Sequence, residues 1–260
     1  MARLTRRDLV KAGLAASAGV VAGSDLLAEA AGPGHAAAAP VFAQPAGATA
    51  NPVRERLLLD YGWRFALGNA NDPDKDFGFG KLRREGTFAK AGRVDGPAAP
   101  RFDDSAWRRI DLPHDWALDL PFVNDPILVE HGAKPLGREY PETSIGWYRR
   151  EFFLPASDTG RRIYVEFDGI FRNAMVFFNG HFIARNMSGY APLTVDLSDL
   201  ANFGDKTVPR PGAEPAGRNV LAVRVDASLD EGWFYEGAGI YRHVWLTKTA
   251  PVHVVQWGTY

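Results

Sequence analysis

The stretch Ile163-Tyr164-Val165-Glu166-Phe167-Asp168, followed by Ala174-Met175-Val176-Phe177-Phe178-Asn179-Gly180-His181-Phe182-Ile183, decides the fold. Ile163, Val165 and Phe167 alternate with Tyr164, Glu166 and Asp168, and Ala174, Val176 and Phe178 continue the pattern. Successive side chains of a strand point to opposite faces, so this alternation builds one apolar face. Asn179-Gly180 stands between two apolar runs, where both central residues of a tight hairpin turn need positive φ, which Asn and Gly tolerate. Working outward, Trp147 to Leu154 reads as a strand ended by Pro155, Leu221, Val223 and Val225 as another, and Val244 to Thr247 as a further one. No amphipathic helix longer than about three turns stands out. Short strands, Gly and Pro turns and no βα alternation predict an all-β fold, an antiparallel β-sandwich. Long, uneven loops favour a jelly roll over an immunoglobulin topology.

Residues 68–100 and 118–143 are poorly explained by strands. Both read as long surface loops, which on a rigid sandwich often carry binding; plain solvated connection is the alternative. Residues 202–217 read as an ordinary coil insertion, and no internal repeat is found.

With 260 residues, 46% of them hydrophobic, the chain can bury a real core in one domain of about 200 residues plus a tail. The net charge of −1 leaves no electrostatic footprint for nucleic acid or acidic membranes. The absence of cysteine excludes disulfides and thiolate metal sites. Thr5-Arg6-Arg7-Asp8-Leu9-Val10-Lys11, with the mild apolar run of residues 12–23, looks like a twin-arginine export signal and is too short and weak to span a membrane. The expected organisation is a signal peptide over 1–31, a disordered Ala/Pro/Gly linker over 32–52 and the jelly-roll domain over 53–250. Export to the periplasm or the exterior follows, with no membrane association after cleavage.

The segment Gly232-Trp233-Phe234-Tyr235-Glu236-Gly237-Ala238-Gly239-Ile240-Tyr241-Arg242-His243-Val244-Trp245-Leu246 mixes aromatic rings, glycines and a carboxylate more densely than a core strand needs. Flat rings for sugar C–H faces beside an acceptor for hydroxyls suit a carbohydrate site, making Trp233, Tyr235 and Glu236 candidate contacts.

Four motifs in order resemble glycoside hydrolase family 2, the β-galactosidase and β-glucuronidase group. They are Phe102-Asp103-Asp104-Ser105-Ala106-Trp107 leading to Leu112-Pro113-His114-Asp115-Trp116; Gly146-Trp147-Tyr148-Arg149-Arg150; Phe167-Asp168-Gly169-Ile170-Phe171-Arg172-Asn173-Ala174 with its Asn179-Gly180 hairpin; and Glu231 to Leu246. The resemblance covers about residues 55 to 260 and implies a galactose-binding-domain-like jelly roll, the sugar-binding domain of the family. It also implies a neighbouring catalytic (β/α) barrel as partner, with a loop of the sandwich helping to close the pocket for a β-galactoside-type glycan. Known members carry an acid a few positions before the Gly-Ile-(aromatic)-Arg element, where this chain has Trp233. The acid's contact is then either lost or taken over by Glu236 or Asp115, while Trp233 offers a stacking face. Interdomain packing is the alternative role for Trp233, Tyr235 and Glu236. His114, Arg242 and Asp103-Asp104-Ser105 read as structural.

Retaining glycosidases need two carboxyl groups about 5–5.5 Å apart. In this family both are glutamates of the barrel, a fold of about 250 residues for which the chain has no room. No catalytic residue, metal site or cofactor is expected here. Residues 251–260 look like the start of a truncated immunoglobulin-like domain, and the chain is expected to be an inactive fragment of a longer enzyme. Rival readings are a free-standing carbohydrate-binding module and a purely structural docking domain.

Overall fold

The computed structural model describes residues 52–79, 96–124, 133–229, 236–256 and 258. The strands are β1 (Arg54–Leu58), β2 (Trp63–Leu67), β3 (Arg108–Ile110), β4 (Ile145–Phe153), β5 (Arg162–Phe167), β6 (Ala174–Phe178), β7 (His181–Asn186), β8 (Leu193–Asp196), β9 (Arg218–Asp226) and β10 (Val244–Thr249). They form two sheets, β1-β10-β5-β8 and β3-β2-β4-β9-β6-β7. Every strand pairing is antiparallel, so the chain is the all-β sandwich expected from its alternation. Asn179 and Gly180 join β6 to β7 with φ of 49° and 85°, as the Asn-Gly dipeptide predicts.

The inner faces pack Tyr148, Phe152, Val176, Phe178, Leu221 and Val223 of the larger sheet against Ile163, Val165, Phe167, Val195, Val244 and Leu246 of the smaller. The larger sheet is also covered on its outer face. There Trp147, Phe177 and Ala222 form a second core with Phe79, Ala98 and Trp107. Trp147, Phe177 and Ala222 are therefore apolar and buried at positions that alternation with a single dry face would give to solvent.

The described parts of residues 68–100, read as a long surface loop, instead cover the outer face of the larger sheet. They form the lid of the second core. Asp76 is buried beneath it, accepting from Trp147 Nε1 at 2.8 Å and Arg224 Nε at 2.9 Å. Burial pushes the Asp76 carboxyl upward, against the pull of Arg224 and Trp147. The Asp103-Asp104-Ser105 turn behaves as its sequence predicts: Asp103 accepts from Ser105 N at 2.9 Å, and Asp104 pairs with buried Arg149 at 2.8 Å.

β1, β2, β3 and β8 lack a clear sequence signal. In β1, Arg-Glu-Arg-Leu-Leu, the charged residues are held by partners far along the chain. Glu55 meets Lys248 at 3.1 Å, and Arg56 meets Glu166 at 3.1 Å. Lys248 also meets Asp158 at 2.8 Å, and Arg161 meets Asp158 at 3.0 Å, in a network that satisfies buried charge. After β10, Gln256 Nε2 donates to Glu166 Oε1 at 2.9 Å and Arg54 donates to the Val254 carbonyl, laying the tail over part of the smaller sheet's outer face.

Asp76→Ala is expected to cost about 3–5 kcal/mol in urea denaturation, because it strands the buried Arg224 guanidinium. Lys75→Ala, which removes only an exposed contact to Asp72, is expected to cost less than about 0.5 kcal/mol.

Candidate functional site

At one end of the sandwich the backbone of residues 238–240 is threaded between two other segments. On one side, His114 N donates to Ile240 O at 2.8 Å and Trp116 N to Ala238 O at 2.9 Å. On the other, Phe171 N donates to Gly239 O at 2.8 Å and Gly239 N to Phe171 O at 2.7 Å. The glycines of this segment are required by the close approach. Gly239 has φ of 132°, and a β-carbon there would lie 2.5 Å from both the His114 carbonyl and Tyr148 Oη. Gly237 has φ of 68°, and a β-carbon would lie 2.8 Å from Asp115 Oδ2.

Asp115 closes the arrangement. Its Oδ1 accepts from Ala117 N at 3.0 Å, capping the short 3₁₀ turn Trp116–Asp119, and from Ala238 N at 2.8 Å. This carboxylate is thus first a clamp between two chain segments. Glu236 enters the threaded segment and is buried. Trp233 and Tyr235 lie outside the described residues. The structure therefore brings Asp115 and the Glu236 end of the candidate loop to one wall. The other end of that loop is held as well, by Ala227 N on Ser144 O at 2.9 Å and Ser228 N on Asp226 Oδ1 at 3.0 Å.

Behind the wall, His114 is the hydrogen-bonding residue that its position after Pro113 suggests. Its Nδ1 lies 2.8 Å from Tyr148 Oη and its Nε2 2.7 Å from Arg108 Nη2. A guanidinium can only donate, so Nε2 accepts, and the neutral ring carries its proton on Nδ1 and donates to Tyr148. Burial, reinforced by Arg108, holds the His114 pKa below the ordinary imidazole value. Burial likewise pushes the Tyr148 hydroxyl well up, so the phenol stays protonated.

Sequence reasoning missed Asp60. This buried carboxylate accepts from Val244 N at 2.9 Å and holds His243 Nδ1 at 2.6 Å, while the Asp60 carbonyl accepts from Leu112 N at 2.9 Å. No local pattern marks it, since its partners lie far along the chain. Arg242, read as structural, is exposed, its guanidinium 5.4 Å from the Tyr241 ring centre. The anchoring is done by backbone, which leaves this side chain free of that task. Among the described residues no cluster of three or more His, Cys, Asp or Glu is placed to hold a metal ion.

Gly239→Ala is expected to destabilise the domain by at least about 2 kcal/mol in thermal or urea unfolding. Asp115→Ala should cost about 2–3 kcal/mol by leaving backbone donors unsatisfied, and Asp115→Asn, which retains an acceptor, less than about 1 kcal/mol. The depressed His114 pKa also sets a pH dependence. As pH falls through about 6.5 the unfolded chain takes up this proton first, so stability is lost from there down through the lower folded pKa. His114→Gln should flatten that part of a Tm-against-pH curve, and an unchanged slope would remove His114 as its source.

The family model for "Glycosyl hydrolases family 2, sugar binding domain" matches residues 58–250. The chain is 41% identical over 209 residues to the β-galactosidase BoGH2A of Bacteroides ovatus, covering 80% of this chain and 20% of that protein. It is 30% identical over 152 residues to a putative β-glucuronidase of Formosa agariphila, covering 58% of this chain and 13% of that one. Among solved structures, a glycosyl hydrolase family 2 member from Bacteroides cellulosilyticus superposes with a TM-score of 0.55 at 30% identity, over 78% of this chain and 21% of its own. The chain thus spans a fifth or less of the length of these curated relatives. The motifs, the two-sheet sandwich and these matches together assign the chain to glycosyl hydrolase family 2, as a member of its sugar-binding domain.

Proposed function

We propose that this sandwich is the sugar-binding domain of an exported, β-galactosidase-like enzyme and forms one wall of the subsite for the terminal sugar. The observation that carries the reading is the clamp: Asp115 and the backbone of residues 114–116 and 171 hold the segment that directly follows Trp233, Phe234 and Tyr235 in sequence. A sugar-contacting loop gains affinity when its ends are already ordered, because less conformational entropy is lost on binding. The β-galactosidase among the relatives supports the substrate class.

In this reading hydrolysis belongs to a separate barrel, where two glutamates work by the retaining mechanism, one as nucleophile and one as acid and then base. The sandwich supplies orientation of the substrate rather than a reacting group. The 260-residue chain alone releases no nitrophenol from an aryl β-galactoside, and measurable turnover by the purified chain would overturn that assignment. Residues 251–260 begin the next domain, and Arg6-Arg7 direct export of the folded enzyme. Replacing Arg6-Arg7 by Lys-Lys should retain the protein in the cytoplasm, read by fractionation and immunoblotting.

The burial of Glu236 and the backbone bonds of Asp115 favour one refinement: these two brace the wall, and stacking falls to Trp233 and Tyr235. In the full-length enzyme, Trp233→Ala should then raise KM for an aryl β-galactoside about 10-fold or more with little change in Tm, the loss of one stacking contact and its buried area. Glu236→Gln should lower Tm and leave KM near its original value. If Trp233→Ala leaves KM unchanged, the domain's role is docking alone.

A further inference from the structure

The outer face of the smaller sheet carries a cleft that the wall around Asp115 does not use. It has a volume of about 460 Å³ and is lined by Glu166 and Asp168 of the β5 end, Tyr241, Arg242 and His243, with Pro113 and Pro192 at its rim. Two of these side chains are not consumed by the core: Arg242 is exposed and the His243 side chain is 51% exposed.

Every polar group of the lining except Arg242 is braced from behind. Glu166 is buried, held through Oε2 by Arg56 at 3.1 Å and through Oε1 by Gln256 at 2.9 Å. Asp168 Oδ2 accepts from Trp245 Nε1 at 2.9 Å. The Tyr241 hydroxyl donates to Gly189 O at 2.9 Å, which fixes its ring. The buried Asp60 carboxylate holds His243 Nδ1 at 2.6 Å, so the opposite ring nitrogen, Nε2, is the one left to meet a ligand. Such bracing removes the cost of ordering side chains when a ligand arrives.

The chemistry selects the ligand class. Carboxylates accept from hydroxyls, and a guanidinium donates to them. The Tyr241 ring and two rigid prolines offer apolar surface for C–H faces. Three carboxylates, Asp60, Glu166 and Asp168, stand against the guanidiniums of Arg56 and Arg242 and the His243 imidazole, so no strong field of either sign favours an ion. The volume lies within the range of small-molecule pockets and suits one or two small polyol rings.

We infer that this cleft is a second carbohydrate site that binds a neutral pyranoside through Glu166, Asp168, Arg242 and His243. It is independent of the Asp115–Glu236 wall and stands whether or not that wall contacts sugar.

The test uses the intact chain, titrated with methyl β-D-galactopyranoside, methyl β-D-glucopyranoside and glucuronate, and followed by saturation-transfer NMR and calorimetry. Saturable binding of a neutral glycoside with Kd on the order of millimolar is expected, in line with ligands of this size. Arg242→Ala and Asp168→Asn should each weaken it about 10-fold, as expected for loss of a charge-assisted hydrogen bond. Trp233→Ala should leave it unchanged. Arg242 is exposed and Asn keeps an acceptor for Trp245, so both variants are expected to fold, which near-UV circular dichroism checks. The inference is overturned if no neutral glycoside binds saturably, if glucuronate binds in preference, or if Trp233→Ala abolishes binding while Arg242→Ala does not. That last result would instead place the sugar at the wall of the proposed subsite.

Discussion

The backbone of residues 238–240 is hydrogen-bonded on both sides, and the loop end of the sandwich is organised around that fact. One side is the 114–116 segment and the other is Phe171, so the two sheets and the motif loops are joined by main-chain bonds. Backbone approach this close excludes side chains, which is why glycine stands at 237 and 239 and why Asp115 can reach across to the Ala238 amide. Each bond contributes only about 0.5–1.5 kcal/mol net, but leaving its buried groups unpaired would cost more. The segment is therefore held as a unit.

Charge is managed by the same rule. Asp76, Asp158, Lys248, Arg161 and Arg224 are buried, and each has an ion-pair partner within 3.0 Å. Such networks are weak evidence for net stability, because desolvation offsets most of their attraction, yet they penalise any alternative that separates the partners. In this protein they connect β1 to β10 and the lid over the second core to β9. The exposed pairs, such as Arg108 with Asp119, do less for stability and more for orienting neighbours such as His114.

The central strands were legible because their alternation is local. Ile163 to Asp168, the Asn179-Gly180 hairpin and Leu221 to Val225 each announce themselves within a few residues. β1 was not, because Arg54-Glu55-Arg56 becomes a strand only when Glu166 and Lys248 are beside it. The stretch containing Asp76 and Phe79 looked like a surface loop because its composition is polar, whereas its few apolar residues meet the outer faces of Trp147 and Phe177. At the site, the glycines and Asp115 could be picked out from motifs, but the role of Asp115 as a clamp could not. The two backbone amides it accepts from belong to Ala117 and Ala238, and only the second contact ties distant parts of the chain.

By itself, then, the sequence determined the all-β class, the hairpin, most of the core strands and, through its motifs, the family. These follow from side-chain periodicity and turn chemistry, which act over two to ten residues. Tertiary structure alone decided that the larger sheet is buried on both faces, that Asp60 orients His243, and that Arg242 faces solvent beside two braced carboxylates. Each of those depends on residues brought together from distant parts of the chain, as with Asp60 and His243 or Asp76 and Trp147, and no local pattern encodes such a meeting.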